Sequence, residues 1–164
     1  MNSASVVLML SSISAGALGA ATPREPEAAQ TVVFVCQHGN VKSLIAREWF
    51  NRLATEHGLP FRAVARGVTP EASVPPAIAE ALRSDGFDVS GFEPRAFSAA
   101  DVTGAARIVG IGVELSSAPE RGDAPLDTWQ GIPPASERYA ASRDALRARI
   151  EALLKTLENA GGHR

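Results

Sequence analysis

One short stretch of the chain places a nucleophile, a cation and small polar residues at spacings that suit anion chemistry. Cys36, the only cysteine, directly follows an apolar run at residues 31–35. This run is typical of a buried parallel strand. Five residues later, Lys42 and Ser43 open an amphipathic stretch that predicts a helix. A loop between a strand and a helix N-terminus directs N–H groups and the positive end of the helix dipole at one point, so the stretch predicts an anion site.

The residue types suggest a role for each part of this site. A thiol beside a helix N-terminus and loop N–H groups is favoured as the thiolate, so Cys36 is the candidate nucleophile. The alternative is a purely structural role, in which Cys36 is a small apolar residue at the end of a buried strand. Lys42 supplies a positive charge for an oxyanion, and Ser43 is predicted to cap the helix and to stabilise the thiolate. The loop residues expected to hold the oxygens of the anion are Gln37, His38, Gly39, Asn40 and Val41.

The order of Cys36, five residues, Lys42 and Ser43 resembles the C-x5-R-S/T loop of the low-molecular-weight protein-tyrosine phosphatases and of their relatives, the thioredoxin-coupled arsenate reductases. The resemblance covers roughly residues 32–157 and includes the segments 86–95 and 105–111. It implies an α/β fold in three layers with a four-stranded parallel sheet. It also implies a cysteine nucleophile, and a phosphate-like or arsenate-type oxyanion, or a phosphorylated substrate, as the partner.

Three departures from the family pattern bear on the chemistry. The family arginine is Lys42 here, although Lys42 and Lys155 are the only lysines among 16 basic residues. A lysine ammonium lacks the planar fork with which arginine binds an oxyanion. The family's late Asp-Pro, whose aspartate protonates the leaving oxygen, has Pro133 in its place, and Asp127, or Asp123 close to it in sequence, is the candidate substitute for that general acid. The arsenate reductases use further cysteines, so Cys36 alone would require an external thiol.

Two functions from different classes remain open. The first is a cysteine-dependent phosphatase or arsenate reductase with attenuated activity; losing one oxyanion donor typically costs about 10²–10³-fold in rate. The alternative is a non-catalytic protein on the same scaffold that binds phosphate, another oxyanion or a phosphoprotein. The position of Cys36, where a nucleophile belongs, favours the enzyme.

Composition argues against several other classes of function. A net charge of −2 with dispersed basic residues is unlike the footprint of a nucleic-acid-binding protein. No cluster of histidine, cysteine and carboxylate residues has metal-ligand spacing, so neither a metal nor another cofactor is expected. A single cysteine excludes an internal disulfide. The sequence leaves the oligomeric state open.

The first residues differ in composition from the rest of the chain. Residues 6–10 are apolar and residues 15–21 are mostly small, which predicts a signal peptide at 1–21 and a periplasmic or secreted protein. The alternative is a cytoplasmic protein with a disordered N-terminal tail. Residues 22–30 are interpreted as a linker, 31–158 as the phosphatase-like domain and 159–164 as a tail. No membrane segment is expected after removal of the signal.

Periodicity and turn residues predict the elements of the domain. The predicted strands are 31–35, 61–68, 107–112 and 126–129. The predicted helices are 44–56, 76–84 and 135–158, with a short helix capped by Ser98.

Overall fold

The computed structural model describes residues 28–115 and 124–161, in which strands and helices alternate. The predicted α/β fold with a four-stranded parallel sheet is confirmed. In chain order the elements are β1 (Gln30–Cys36), α1 (Lys42–Glu56), β2 (Phe61–Gly67), α2 (Pro76–Ser84), α3 (Ala99–Val102), β3 (Ala105–Ile111), β4 (Leu126–Trp129) and α4 (Tyr139–Gly161).

The strand order β2-β1-β3-β4 puts β1 in the middle of the sheet. All neighbouring strands are parallel, so their carboxyl ends meet at one edge. Cys36, the last residue of β1, lies beside Gly67, the last residue of β2. After β1 the chain first adds β2 on one side and then β3 on the other. The carboxyl edge at such a reversal is where open α/β sheets bind ligands.

Apolar side chains cover both faces of the sheet and give the three layers that the resemblance implied. On one face, α1, α2 and α4 pack on the sheet around fully buried residues such as Phe34, Phe50 and Leu146. On the other face, Val33 and Val35 pack with the region of α3 and the residues next to it in a smaller cluster. The rigid, close-packed β1 therefore carries Cys36 to its position.

Two helix boundaries differ from the prediction, and both differences affect the candidate site. α1 begins at Lys42 rather than at residue 44, because the Ile45 N–H donates to the Val41 carbonyl at 2.9 Å and closes an earlier turn. α4 begins at Tyr139 rather than at 135, because the Arg138 N–H donates to the Pro134 carbonyl and closes a separate turn. α4 also continues to Gly161, past the predicted end of the domain at 158.

The predicted signal peptide at 1–21 and most of the linker lie outside the described residues, and both stay predictions. Among the helices of residues 28–115 and 124–161, none is long and apolar enough to cross a membrane. The same residues contain no group of three or more histidine, cysteine and acidic side chains arranged to hold a metal ion.

Candidate active site

Cys36 lies at the bottom of a cavity of about 250 Å³ at the carboxyl edge of the sheet. The cysteine residue is only 6% exposed, and it reaches solvent through this cavity. Three parts of the chain form the walls: the loop after β1, the end of β3, and the turn before α4. In that order the lining residues are Cys36, Gln37, His38, Asn40, Val41 and Lys42; Ile111 and Gly112; and Pro134, Ala135 and Ser136.

Ser43 contacts the sulfur and does not cap α1. The N-cap residue of α1 is Val41, whose side chain makes no capping hydrogen bond, so the prediction that Ser43 caps the helix is wrong. The Ser43 hydroxyl instead lies 3.1 Å from the Cys36 sulfur, and both residues are buried. Because hydrogen bonds to a charged group are stronger than those between neutral groups, a hydroxyl donated to sulfur favours the thiolate. This contact matches the second role predicted for Ser43.

The loop after Cys36 leaves its backbone donors available. Within the described residues, no backbone N–H from residues 37–44 donates to a protein acceptor; the first helical donor is Ile45. Unpaired N–H groups of a loop and the first turn of a helix are the donors that bind phosphate-like anions elsewhere in proteins. The loop is therefore equipped to hold the oxygens of a tetrahedral anion above the sulfur.

Gly39 and Gly67 hold the loop against the end of β2. Gly39 has a φ of +71°, which only glycine adopts without strain. A Cβ added to Gly67 would lie 2.8 Å from the Gly39 nitrogen and 2.8 Å from the His38 carbonyl carbon. Two backbones this close leave no room for a side chain on either residue. Gly67 was not singled out from the sequence as part of the site.

We expect Gly67→Ala to destabilise the protein and to disrupt the loop. The added methyl group must push the loop backbone away, and overpacking of this kind typically costs about 1–3 kcal/mol in the free energy of unfolding. Gly91→Ala is the matched control, since nothing lies within 4 Å of a Cβ there and its φ is not positive. Urea denaturation of both variants measures the difference. Equal stability of the two variants would contradict the close contact between the loop and β2.

The segment after β2 braces the loop through both backbone and side chains. The N–H groups of Val68, Thr69 and Glu71 donate to the carbonyls of Cys36, Gln37 and His38 in turn, at 2.9–3.2 Å. The side-chain amide of Gln37 donates to the Thr69 hydroxyl at 2.8 Å. These hydrogen bonds fix the loop from one side and leave its N–H groups unpaired.

Asn40 and Glu71 extend this bracing into the interior. The Asn40 amide nitrogen, which is buried, donates to the Glu71 carboxylate and to the Ser73 carbonyl, both at 2.7 Å. The other Glu71 oxygen lies 3.3 Å from Nδ1 of His38. Sequence reasoning missed Glu71. The available signal was the turn-rich segment 67–75, which follows a parallel strand and must begin at the same edge of the sheet as Cys36.

Lys42 stands at the wall of the cavity, in the first turn of α1. Its ammonium donates a hydrogen bond to the Ile132 carbonyl at 3.3 Å. It also lies close to Gly112, because a Cβ added there would be 3.7 Å from Nζ. Lys42 therefore provides a positive charge within the anion cavity while it contacts the turn that replaces the family's Asp-Pro.

Asp127 does not reach the cavity, so the structure argues against it as the general acid. In the sheet it aligns with Val109, two residues before the end of β3, and its carboxylate pairs with Arg107 at 3.4 Å. It lines a different cavity, with Arg149 and Thr156 on α4. A general acid must come within hydrogen-bond reach of the reacting oxygen, and this position does not allow it.

A larger cavity of about 520 Å³ lies along β2, and it contains none of the predicted site residues. It is lined by both arginine and acidic side chains, several of which pair with each other or with neighbours, as Arg47 does with Glu48 and Arg66 with Asp101. No thiol lines it. The cavity at Cys36 is smaller, but it is lined by the candidate nucleophile, by Lys42 and by the loop between them.

The start of α4, next to the third wall of the cavity, is anchored by a partly buried polar contact. The Tyr139 hydroxyl donates to the Asp85 carboxylate at 2.7 Å, and Arg143 donates to the other oxygen of Asp85 at 3.2 Å. Burial, with this hydrogen bond to Asp85, raises the pKa of Tyr139 well above its ordinary value. The neutral Tyr139 hydroxyl therefore joins the start of α4 to the end of α2.

Comparison with known proteins identifies the same architecture. A family model described as low molecular weight phosphotyrosine protein phosphatase matches residues 31–114. No curated protein sequence matches the chain.

Three solved structures show how widely this fold occurs. YfkJ from Bacillus subtilis is 19% identical, with a TM-score of 0.70 over 82% of this chain and 98% of its own. The low molecular weight protein tyrosine phosphatase from T. tengcongensis is 22% identical, with a TM-score of 0.67 over 78% of this chain and 99% of its own. An arsenate reductase from Archaeoglobus fulgidus is 28% identical, with a TM-score of 0.57 over 77% of this chain and 97% of its own.

Proposed function

The chain belongs to the low molecular weight phosphotyrosine protein phosphatase family, and we propose that it is a cysteine-dependent phosphatase of attenuated activity. One observation carries the proposal: the Cys36 sulfur lies 3.1 Å from the Ser43 hydroxyl, at the floor of a cavity walled by a loop with unpaired N–H groups. A buried inert cysteine would need neither the hydroxyl nor the donors. The substrate class is a phosphate monoester.

Each residue has a defined part in the proposed reaction. The Cys36 thiolate attacks phosphorus, the phosphorus–oxygen bond to the leaving group breaks, and a phosphocysteine forms. The loop N–H groups and Lys42 bind the three oxygens that carry the transferred charge. Water then attacks phosphorus, the sulfur–phosphorus bond breaks, and the thiolate is restored. The Ser43 hydroxyl stabilises the thiolate before the first step and as it departs in the second.

The expected attenuation of the phosphatase rate follows from the presence of lysine rather than arginine at position 42. Arginine binds two oxygens of a phosphoryl group with one planar fork, whereas the Lys42 ammonium is a point charge that already donates to the Ile132 carbonyl. The positive charge is retained, but its fit to the transition state is poorer. We therefore expect tight anion binding combined with slow turnover.

Two other functions use the same site. Reduction of arsenate requires two electrons from two thiols, and Cys36 is the only cysteine, so an external thiol would have to attack the Cys36–arsenic adduct. A non-catalytic protein that binds phosphate or a phosphorylated partner would use the loop donors and Lys42 and form no covalent bond. The contact of the Ser43 hydroxyl with sulfur favours a reacting thiol over simple binding.

The test is to trap the phosphocysteine. The protein is mixed with 4-nitrophenyl phosphate, quenched in acid and examined by intact-mass spectrometry, while release of nitrophenolate is followed in parallel. We expect a burst of nitrophenolate equal to the protein, followed by slow turnover, with phosphate attached to the peptide that contains Cys36. Stoichiometric phosphate binding with no phosphocysteine and no turnover would support the binding protein instead.

A further inference from the structure

His38 lines the same cavity as Cys36, and its ring lies beside a carboxylate. Its Nδ1 lies 3.3 Å from a Glu71 oxygen, and within the described residues Nε2 makes no hydrogen bond. The His38 and Glu71 side chains are each 53% exposed. The ring is therefore half in solvent, and it faces the cavity that a substrate must enter.

Glu71 is fixed independently of its contact with His38. The buried Asn40 amide donates to one Glu71 oxygen at 2.7 Å, and the Glu71 N–H donates to the His38 carbonyl at 3.2 Å. An exposed ion pair between two free side chains contributes little, because both must be ordered to form it. Here the carboxylate is already ordered, so it can orient the His38 ring at small further cost.

Cleavage of a phosphate ester by a cysteine nucleophile uses an acid that protonates the leaving oxygen. Among the described residues that line it, no side chain is a carboxylic acid, and the ionisable groups are Cys36, His38 and Lys42. Asp127 is turned to Arg107 in another cavity. Cys36 is the nucleophile and Lys42 binds oxygen. Asp123 lies outside the described residues. Among the lining residues that the structure describes, His38 is the group that remains, and histidine is the side chain that carries a transferable proton near neutral pH.

We propose that His38 is the general acid of this site and that Glu71 is its positioning residue, an inference that rests on the proposed phosphatase function. As the Cys36 thiolate attacks phosphorus, the bond to the leaving oxygen breaks and the protonated Nε2 of His38 gives its proton to that oxygen. In the second step a water attacks phosphorus, and the neutral imidazole takes a proton from it as the sulfur–phosphorus bond breaks. Inorganic phosphate leaves, and thiolate and imidazolium are both restored.

The test compares two leaving groups. Nitrophenolate departs from 4-nitrophenyl phosphate without a proton, whereas the far less acidic phenol of phenyl phosphate needs one. A general acid typically contributes about 10²–10⁴-fold. We expect His38→Gln to lower kcat/KM, which reports the steps up to release of the leaving group, by about 100-fold or more on phenyl phosphate and by less than about 10-fold on 4-nitrophenyl phosphate. Glu71→Gln should show the same split with a smaller loss.

The pH profile gives a second readout that a merely structural role would not produce. With phenyl phosphate, the pH profile of kcat/KM of the wild-type protein should have a descending limb that is absent in His38→Gln. The ionisable groups near His38 are Glu71, which lies 3.3 Å away, and Cys36 and Lys42, which line the same cavity, so Glu71→Gln must be measured over the same range. Asp127→Asn is the control for the rival acid and should change neither the split nor the profile.

Each outcome either supports or overturns the inference. Equal losses of kcat/KM on both substrates in His38→Gln, or a leaving-group split in Asp127→Asn, would overturn the assignment of His38. Formation of the phosphocysteine from 4-nitrophenyl phosphate would still support the proposed function in that case. Alkylation of Cys36 by iodoacetate, and its protection by inorganic phosphate, shows that the anion site of each variant is intact. Absence of phosphocysteine in the wild-type protein would overturn both the proposed function and the role of His38.

Discussion

Cys36→Ser should abolish turnover of aryl phosphates while the protein keeps its fold and its affinity for inorganic phosphate. The serine hydroxyl is almost isosteric with the thiol, but it does not ionise in this environment, so the step that forms the covalent intermediate is lost. Loss of the nucleophile in covalent catalysis costs at least about 10³-fold in rate. Steady-state hydrolysis of 4-nitrophenyl phosphate measures the loss, and titration calorimetry with phosphate measures the retained binding.

A second variant measures the contribution of the group next to the nucleophile while the nucleophile itself is kept. Ser43→Ala removes only the hydroxyl that lies 3.1 Å from the sulfur. Hydrogen bonds to charged groups contribute about 1.5–3 kcal/mol, so this change should cost roughly 10- to 100-fold in rate and should slow alkylation of Cys36 by iodoacetate.

If Cys36→Ser retained the wild-type rate, the hydrolysis would not proceed through Cys36, and the proposed function would be wrong.

Lys42→Met is the second change with a large expected effect. It keeps the length and the apolar stem of the side chain and removes the positive charge from the cavity wall. Loss of one electrostatic contact to the transferred phosphoryl group typically costs about 10²–10³-fold in kcat, and affinity for inorganic phosphate should fall in parallel. Kinetics on 4-nitrophenyl phosphate and phosphate binding by calorimetry measure the two effects. Unchanged phosphate affinity would show that Lys42 does not face the bound anion.

Lys42→Arg tests whether the lysine is merely a degraded arginine. We expect no large gain in aryl phosphatase rate, because the lysine ammonium already lies 3.3 Å from the Ile132 carbonyl and close to Gly112. A bulkier guanidinium must displace this wall before it can bind two oxygens of the substrate. A gain of one or more orders of magnitude from this single change would contradict that expectation and would show that the wall leaves room for a guanidinium to bind the substrate.

Local sequence patterns determined most of the fold. The bounds of α2 and β4 are those predicted, and β1 ends at Cys36 in a polar loop followed by a helix, as the apolar run and the polar residues after it indicated. These signals work because hydrophobic periodicity and turn residues act within a few positions of the chain. The same local order placed Cys36, the loop 37–41 and Lys42 together, since neighbours in sequence at a strand end cannot lie far apart.

Helix ends at the site were less predictable. Whether α1 begins at Lys42 or later, and whether residues 135–138 join α4, depends on which carbonyls accept the first N–H groups. Ser43 has the right residue type for a cap, but its hydroxyl contacts the Cys36 sulfur. Cap residue types predict a helix start only within a few positions, because the tertiary environment competes for the same side chains.

Partners from distant parts of the chain were decided by the tertiary structure alone. The strand order puts β2 beside β1, and this brings Gly67 and Glu71 against the loop, some 30 residues away in sequence. The register of β3 and β4 turns Asp127 toward Arg107 and leaves the cavity to His38 and Lys42. The sequence therefore singled out the candidate nucleophile. Strand pairing decided which residues hold the loop and which proposed acid lines the cavity, because these contacts arise only when the sheet is assembled.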